Sequence, residues 1–256
     1  MNINKLSVVI ITYNEEKNIA RCINSVNQIA DEIIVVDSHS IDKTKEIAIG
    51  LGAKVIEHSF EGHIQQKNFA LQQANYSWVL SLDADEALSE KLKNKIQEIK
   101  NNPAADGYTM NRLTYYCGRW IKHTGWYPDK KLRLVRKELA QWGGINPHDR
   151  LELINSKNIK HINADILHYS YYSLFDHLYQ LDKFTQISAN ELYKVKIKPN
   201  FWHFFIKPVH KFLNHYIYKA GFLDGYEGFQ ISIISAYGVF LKYAKLREMY
   251  KNNQNI

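Results

Sequence analysis

Apolar positions in the first third of the chain fall into four short runs. Leu6 to Thr12 is near-continuous and β-branched, and Glu32 to Val36, Lys54 to His58 and Trp78 to Leu82 follow it. Continuous rather than alternating apolar strands are expected of a parallel sheet covered on both faces. The segments between them have helical spacing: Ile19, Ile23 and Val26, then residues 43–51 with Gly52 as a stop, then residues 62–74. Asn14 is predicted to cap the first of these helices, with Glu15 and Glu16 in its first turn, where the helix dipole favours negative charge. The order β-α-β-α-β-α-β predicts parallel strands joined by right-handed crossovers.

Further along, Tyr108 to Tyr116 and residues 132–136 alternate, which predicts two more strands, and another apolar run ends near His168. Ser173 is predicted to cap a helix to about Lys194 through Leu174, Leu178, Leu181 and Ile187. Residues 201–250 interleave aromatics with Lys, and Gly221 to Gly228 breaks them into two helices, with Asp224 as the cap of the second. The least polar run there, residues 229–241, is too short and too polar to span a bilayer, which takes about 20 apolar residues. The region suits either an interfacial surface on anionic lipid or aromatics packed on the sheet with solvated Lys.

Ligands of parallel α/β sheets bind at the carboxyl ends of the strands. Those ends carry Thr12-Tyr13-Asn14-Glu15, Asp37-Ser38 and Asp83-Ala84-Asp85. Two carboxylates one residue apart at a strand end point the same way. Their repulsion is relieved by a cation between them or by another ligand on one of them. A hard divalent ion fits, and such an ion in turn holds a diphosphate. The alternative is that Asp caps the turn. No Gly-x-Gly-x-x-Gly follows the first strand, which disfavours a dinucleotide fold, and no Gly-x-x-x-x-Gly-Lys-Ser occurs, which excludes a P-loop.

Four blocks carry a resemblance: Val-Val-Ile-Ile-Thr-Tyr-Asn-Glu-Glu, Ile-Ile-Val-Val-Asp-Ser-His-Ser-Ile-Asp-Lys-Thr, Gln-Lys-Asn-Phe-Ala-Leu and Leu-Ser-Leu-Asp-Ala-Asp-Glu. In this order and spacing they resemble a family-2 glycosyltransferase. The resemblance implies an α/β fold of the GT-A type: a mainly parallel central sheet with flanking helices, here with a C-terminal helical amphipathic extension. It implies a UDP-sugar donor, Mg²⁺ or Mn²⁺, and inversion at the anomeric carbon. By the same resemblance Thr12, Tyr13 and Glu15 hold the nucleoside, Asp37 contacts the uracil or ribose, and Lys67 lies beside the base and diphosphate. Asp83 is then the ribose-side acid and Asp85 the metal ligand. Asp42 reads instead as a helix cap.

An inverting transfer needs a group that takes the proton of the acceptor hydroxyl. Asp149, in the segment Trp142 to Arg150, is the expected base; His148 is the alternative base or a third metal ligand. The surrounding blocks resemble the lipopolysaccharide inner-core subgroup, in which Gly-Trp-Tyr-Pro is followed by Arg-Leu-x-Arg and then His-Glu. This chain has Gly125-Trp126-Tyr127-Pro128, Arg133-Leu134-Val135-Arg136 and His148-Asp149. Gly221-Phe222-Leu223-Asp224-Gly225 extends the resemblance over nearly the whole chain. Arg133 and Arg136 are expected at a diphosphate or acceptor phosphate, since the guanidinium fork matches phosphate. Trp126 and Tyr127 stack either on a sugar ring or in the core. His168 is either a metal ligand or a hydrogen-bonded residue at a strand end. The expected division is a catalytic domain over residues 1–195, with a nucleotide-binding half at 1–100 and an acceptor half at 101–195, and a helical membrane-proximal extension at 196–256.

The net charge of +7 suits anionic partners: a nucleotide diphosphate, a phosphorylated lipid, an anionic membrane surface. No nucleic-acid motif accompanies it, so nucleic acid is not an expected partner. Cys22 and Cys117 make neither a disulfide framework nor a metal spacing. With no signal peptide pattern, a reducing cytoplasm is expected, the protein being peripheral on the inner face of the inner membrane. The expected activity is transfer of a sugar, by resemblance glucose, to a heptose of the lipopolysaccharide inner core. The alternatives are a polyprenyl-phosphate sugar synthase or another cell-surface glycan transferase. A non-catalytic glycolipid-binding protein would have no need of both Asp83 and Asp85.

Overall fold

The computed structural model describes residues 5–145 and 148–252, the side chains of Ile145 and His148 excepted. Strands β1 (Leu6–Thr12), β2 (Glu32–Asp37), β3 (Lys54–Glu57) and β4 (Trp78–Asp83) alternate with helices α1 (Ile19–Val26), α2 (Thr44–Gly50) and α3 (His63–Gln73). The strands lie parallel in the order β3-β2-β1-β4. Their near-continuous apolar sequence follows from burial on both faces. Val8 and Ile10 join Ile19 and Ile23 of α1 in one core, while Val9 points the other way and joins Ala70 and Leu71 of α3 in a second.

After β5 (Glu86–Leu88) and α4 (Glu90–Asn101) the added strands run antiparallel. β6 (Gly107–Tyr116), β7 (Arg119–Ile121), β8 (Asp129–Arg136) and β11 (Ile159–Tyr171) complete one sheet, ordered β3-β2-β1-β4-β8-β6-β11-β5 with β7 on β6. β9 (Ala140–Ile145) and β10 (His148–Leu153) form a separate antiparallel hairpin. The expected α/β fold, with a central sheet, flanking helices and a C-terminal helical extension, is thus present.

Asn14 does not cap α1. Its backbone is left-handed, with φ of 54°, and its side chain accepts the Ile41 N–H at 2.9 Å. Asn18 occupies the position before the helix instead, so residues 13–18 are free to form a loop at the end of β1.

The chain divides into two compact units. One holds the residues up to Leu113 and Asp129–Tyr169; the other holds Thr114–Pro128 and the residues from Ser170. In the second, Ser173 caps α5 (Leu174–Lys194) through a reciprocal capping box with Asp176. A continuous helical stretch follows, π-helical at Trp202–Ile206, α-helical at α6 (Lys207–Leu213) and π-helical again at Asn214–Tyr218, before α7 (Gly225–Asn252). Trp126 packs against Tyr116, Tyr171 and His177, which makes it a core residue of this unit. Asp224 is not the cap of α7. Its buried carboxylate accepts the Lys122 and His123 N–H groups at 3.1 and 2.7 Å and lies 3.0 Å from His123 Nδ1. Among the described residues no helix is long and apolar enough to cross a membrane.

Candidate active site

The parallel register brings the strand ends into one row: Thr12 lies opposite Asp37, and Ile11 opposite Asp83. Ala84 and Asp85 turn the chain from β4 into β5, and Glu86 closes that turn by accepting the Asp83 N–H at 3.1 Å. β5 pairs antiparallel with β11, which sets His168 opposite Glu86. His168 Nε2 consequently lies 3.1 Å from Asp85 Oδ2.

Two buried cations hold the acids in place. The Arg133 guanidinium, on β8, is 3.1 Å from Asp83 and 2.9 Å from the fully buried Glu86. Lys67, from α3, is 3.0 Å from Asp83 and 2.8 Å from Asp149. Burial alone raises a carboxyl, but Lys67 and Arg133 outweigh it and hold Asp83 well below the usual carboxylate range. Burial works the same way on Asp85, and there His168 outweighs it, so that this carboxyl too is lowered. Among the described residues no cation offsets burial at Glu15. Burial pushes it up to about 7; the Asn18 amide opposes this, and the charges of Asp85, Asp42 and Asp83 add to it.

Asp149 reaches Lys67 because the β9–β10 hairpin is clamped to α3. The Asn68 side chain donates to the Trp142 carbonyl at 2.9 Å and accepts the Trp142 N–H at 3.0 Å. The Lys67 ammonium lies 4.4 Å from the centre of the Trp142 ring, a cation–π contact. On the other side of the strand row, Asp37 is fully buried and accepts the Ser40 N–H at 2.7 Å and its hydroxyl as well. Ser40 Oγ in turn accepts the Asn14 N–H at 2.8 Å. Thr12 Oγ1 is buried and has no hydrogen-bond partner among the described residues, an unmet polar group at the strand ends. Tyr13 is exposed.

Asp85 and His168 form a donor pair of the kind a divalent ion takes. Their 3.1 Å separation is close to the ~3 Å between neighbouring ligands bound at about 2.1 Å. Among the described residues no third His, Cys, Asp or Glu completes a cluster with them. A divalent ion on this pair would keep its remaining positions for water and phosphate oxygens.

Residues 7–154, more than half of the chain, match the family model of glycosyl transferase family 2. The chain belongs to this family. An uncharacterized glycosyltransferase of Rickettsia typhi is 35% identical over 262 residues, covering 98% of this chain and 90% of its own. The lipopolysaccharide core biosynthesis glycosyltransferase LpsC of Rhizobium meliloti is 25% identical over 254 residues, covering 96% and 93%. The crystal structure of S. aureus TarS 1–349 in complex with UDP is similar with a TM-score of 0.48 and 18% identity, covering 98% and 92%.

Within this glycosyltransferase, Lys67, Asp83, Asp85, Arg133, Asp149 and His168 are brought together, with Glu15 near enough to feel the acids. Arg136 is not. It pairs in register with Trp78, at the opposite end of β4 from Asp83, roughly 17 Å away at ~3.3 Å per residue. There it lies over the Trp78 ring and 3.4 Å from Asp106. Arg133 is near the diphosphate's expected place, but its guanidinium is held by acids rather than presented to solvent. Asp149 is partnered by Lys67; the adjacent Arg150 pairs with Glu152. The side chain of His148 lies outside the described residues. The sequence reading missed Glu86. Its only signal was a further acid directly after Asp85; the sheet pairing that buries it against Arg133 is not local.

Proposed function

We propose that the chain is an inverting, metal-dependent transferase that moves glucose from UDP-glucose to a heptose of the lipopolysaccharide inner core. One observation carries the chemistry: Lys67 is shared between Asp83 and Asp149, so a donor-side acid and a base are held next to each other. The acceptor reading is supported by the likeness to LpsC along nearly the whole chain and by the Gly-Trp-Tyr-Pro, Arg-Leu-Val-Arg and His-Asp blocks.

In this reading the nucleoside lies over the ends of β1 and β2, where Thr12 Oγ1 has a bond to make and Asp37 braces the loop through Ser40. Tyr13 and Glu15 flank it. Asp83, ionised and fixed by Arg133, accepts from the ribose. Asp85 and His168 hold Mg²⁺ or Mn²⁺, which when bound offsets the charge of the leaving diphosphate. Lys67 orients Asp149, and Asp149 takes the proton of the attacking hydroxyl. A membrane-anchored acceptor and a nucleotide-sugar donor place the reaction at the cytoplasmic face of the inner membrane.

The test is transfer screened over UDP-glucose, UDP-galactose, UDP-N-acetylglucosamine and GDP-mannose, with a heptose-bearing core oligosaccharide or polyprenyl phosphate as acceptor. UDP-glucose with the core acceptor is expected to be fastest, with loss in chelator and recovery in Mn²⁺. Full rate in chelator removes the metal from the reading; preference for polyprenyl phosphate removes the acceptor.

A further inference from the structure

The helical stretch over residues 201–218 turns its apolar side outward. Phe201, Trp202, Phe205, Val209, Leu213 and Ile217 are between 38% and 68% exposed, spaced close to four residues apart. A pure α-helix, with 3.6 residues per turn, would wind such a row around its axis. The π-helical turns at Trp202–Ile206 and Asn214–Tyr218 are wider than α-turns. Combined with α6 they bring the average near four, and the row stays on one side. Two lysines of the stretch are half-buried between these positions. Lys207 Nζ donates to Tyr243 Oη at 2.9 Å, and burial, aided by Lys242, lowers the Lys211 ammonium. The stretch is therefore apolar on its outer side as well as on the side that packs on α7, unlike an ordinary surface helix with one apolar face.

The other side of the stretch packs on α7: Phe240 meets Phe204, and Phe229 meets Phe212 and Tyr216. Ile233 and Tyr237, between them on α7, are also exposed. An exposed apolar row of this length marks an interaction surface.

Charge identifies the partner. Residues 195–223 contain Lys196, Lys198, Lys207, Lys211 and Lys219 and no Asp or Glu. Lys196 and Lys198 at one end of the stripe and Lys219 at the other are exposed. A second copy docking here would bring lysines together with no acid of this segment to meet them. We propose that this face seats itself in the headgroup layer of an anionic phospholipid membrane. Phe201, Trp202, Phe205 and Val209 enter the acyl boundary, and the flanking lysines meet lipid phosphates. The inference deepens the glycolipid reading above by naming the surface that keeps the enzyme on its acceptor's membrane. Lipid binding is measured without transfer, so either can fail alone.

The experiment is co-sedimentation of the full chain with phosphatidylcholine vesicles, with and without phosphatidylglycerol. Binding is expected only with phosphatidylglycerol and should weaken as salt rises. The double variant Trp202→Glu, Phe205→Glu should bind at least about tenfold more weakly, since burial of one large apolar side chain is worth that much. Ile41→Glu, at an exposed apolar position outside the segment, should bind as wild type does. Undiminished binding by the double variant overturns the proposal, as does equal binding to uncharged vesicles. A dimer in sedimentation velocity that the double variant dissociates, with no vesicle binding, overturns it in favour of self-association.

Discussion

Lys67 Nζ stands 2.8 Å from Asp149 and 3.0 Å from Asp83, so the state of one carboxylate is felt by the other through a single ammonium. Asp149→Asn keeps that geometry but removes the proposed proton acceptor. It is expected to bind UDP as wild type does in titration calorimetry, while turnover falls by about 10²–10⁴-fold; Asp149→Glu should retain part of the rate. Near-normal turnover in Asp149→Asn with a dead His148→Ala would move the base to His148. Asp85→Asn should lose the Mn²⁺-dependent part of UDP affinity and keep the fold. Equal UDP binding with and without Mn²⁺ in wild type and variant alike would remove Asp85 as a ligand. Glu86 makes a different kind of prediction. It is buried against Arg133 at 2.9 Å, and breaking a buried ion pair costs roughly 3–5 kcal/mol because the surviving charge is left uncompensated. Asp83 still faces Arg133, so Glu86→Gln is expected at the lower end, about 3 kcal/mol, read as a shifted urea midpoint at unchanged slope.

At the scale of elements, the start of α7 depends on one close approach. A Cβ added at Gly228 would lie 1.9 Å from the Gly221 carbonyl oxygen and 3.0 Å from Asp224 Cβ. The oxygen belongs to the backbone and cannot swing aside. Overpacking costs about 1–3 kcal/mol, occasionally more, and Gly228→Ala should fall at or above the upper end. A thermal midpoint within a degree or two of wild type would show that α7 shifts without cost. Elements whose signals are local were legible. The Ser173 box closes on Asp176 within one turn, and the strand ends at Thr12, Asp37 and Asp83 fell where the apolar runs stop. Asn14 was misread because the same side chain that suits a cap was claimed by Ile41, from the next loop. Arg136 was misplaced because alternation tells which face a residue takes, not how far along the partner strand it lies.

Across the whole molecule, pH acts on buried groups of opposite sense. Burial lowers His177 to about 4, and His215 likewise, with Lys211 and Lys219 adding to the latter. His177 lies edge-on to Tyr116, whose hydroxyl is 3.0 Å from its Nδ1. Unfolded, the imidazole takes its proton near 6.5; folded, not until about 4. The unfolded chain therefore binds more protons in this window, and the stability from neutral His177 is complete above about 6.5 and lost as pH falls towards 4. The loss is at most roughly 3 kcal/mol. Glu15, raised to about 7, works the other way, losing stability as pH rises from its unfolded value. The measurement is thus the difference in unfolding free energy between wild type and His177→Gln against pH. That difference should shrink as pH falls from 7 to 4, and a flat difference would mean His177 takes its proton as readily in the fold as in the unfolded chain.

The alternation of strands and helices in the first third, the parallel pairing of its strands and the acids at their ends were determined by the sequence alone. Each rests on hydrophobic periodicity or on neighbours a few positions away, and these are written in the chain. Which charges meet was decided only by tertiary structure. Lys67 finds Asp149 through a hairpin clamped by Asn68, His168 finds Asp85 through the β5–β11 pairing, and Glu86 is buried by an arginine from β8. The outward apolar row at 201–217 is of the same kind. Composition marked the region as aromatic and basic, but the side that faces water is set by π-turns and by packing on α7, which no local pattern encodes.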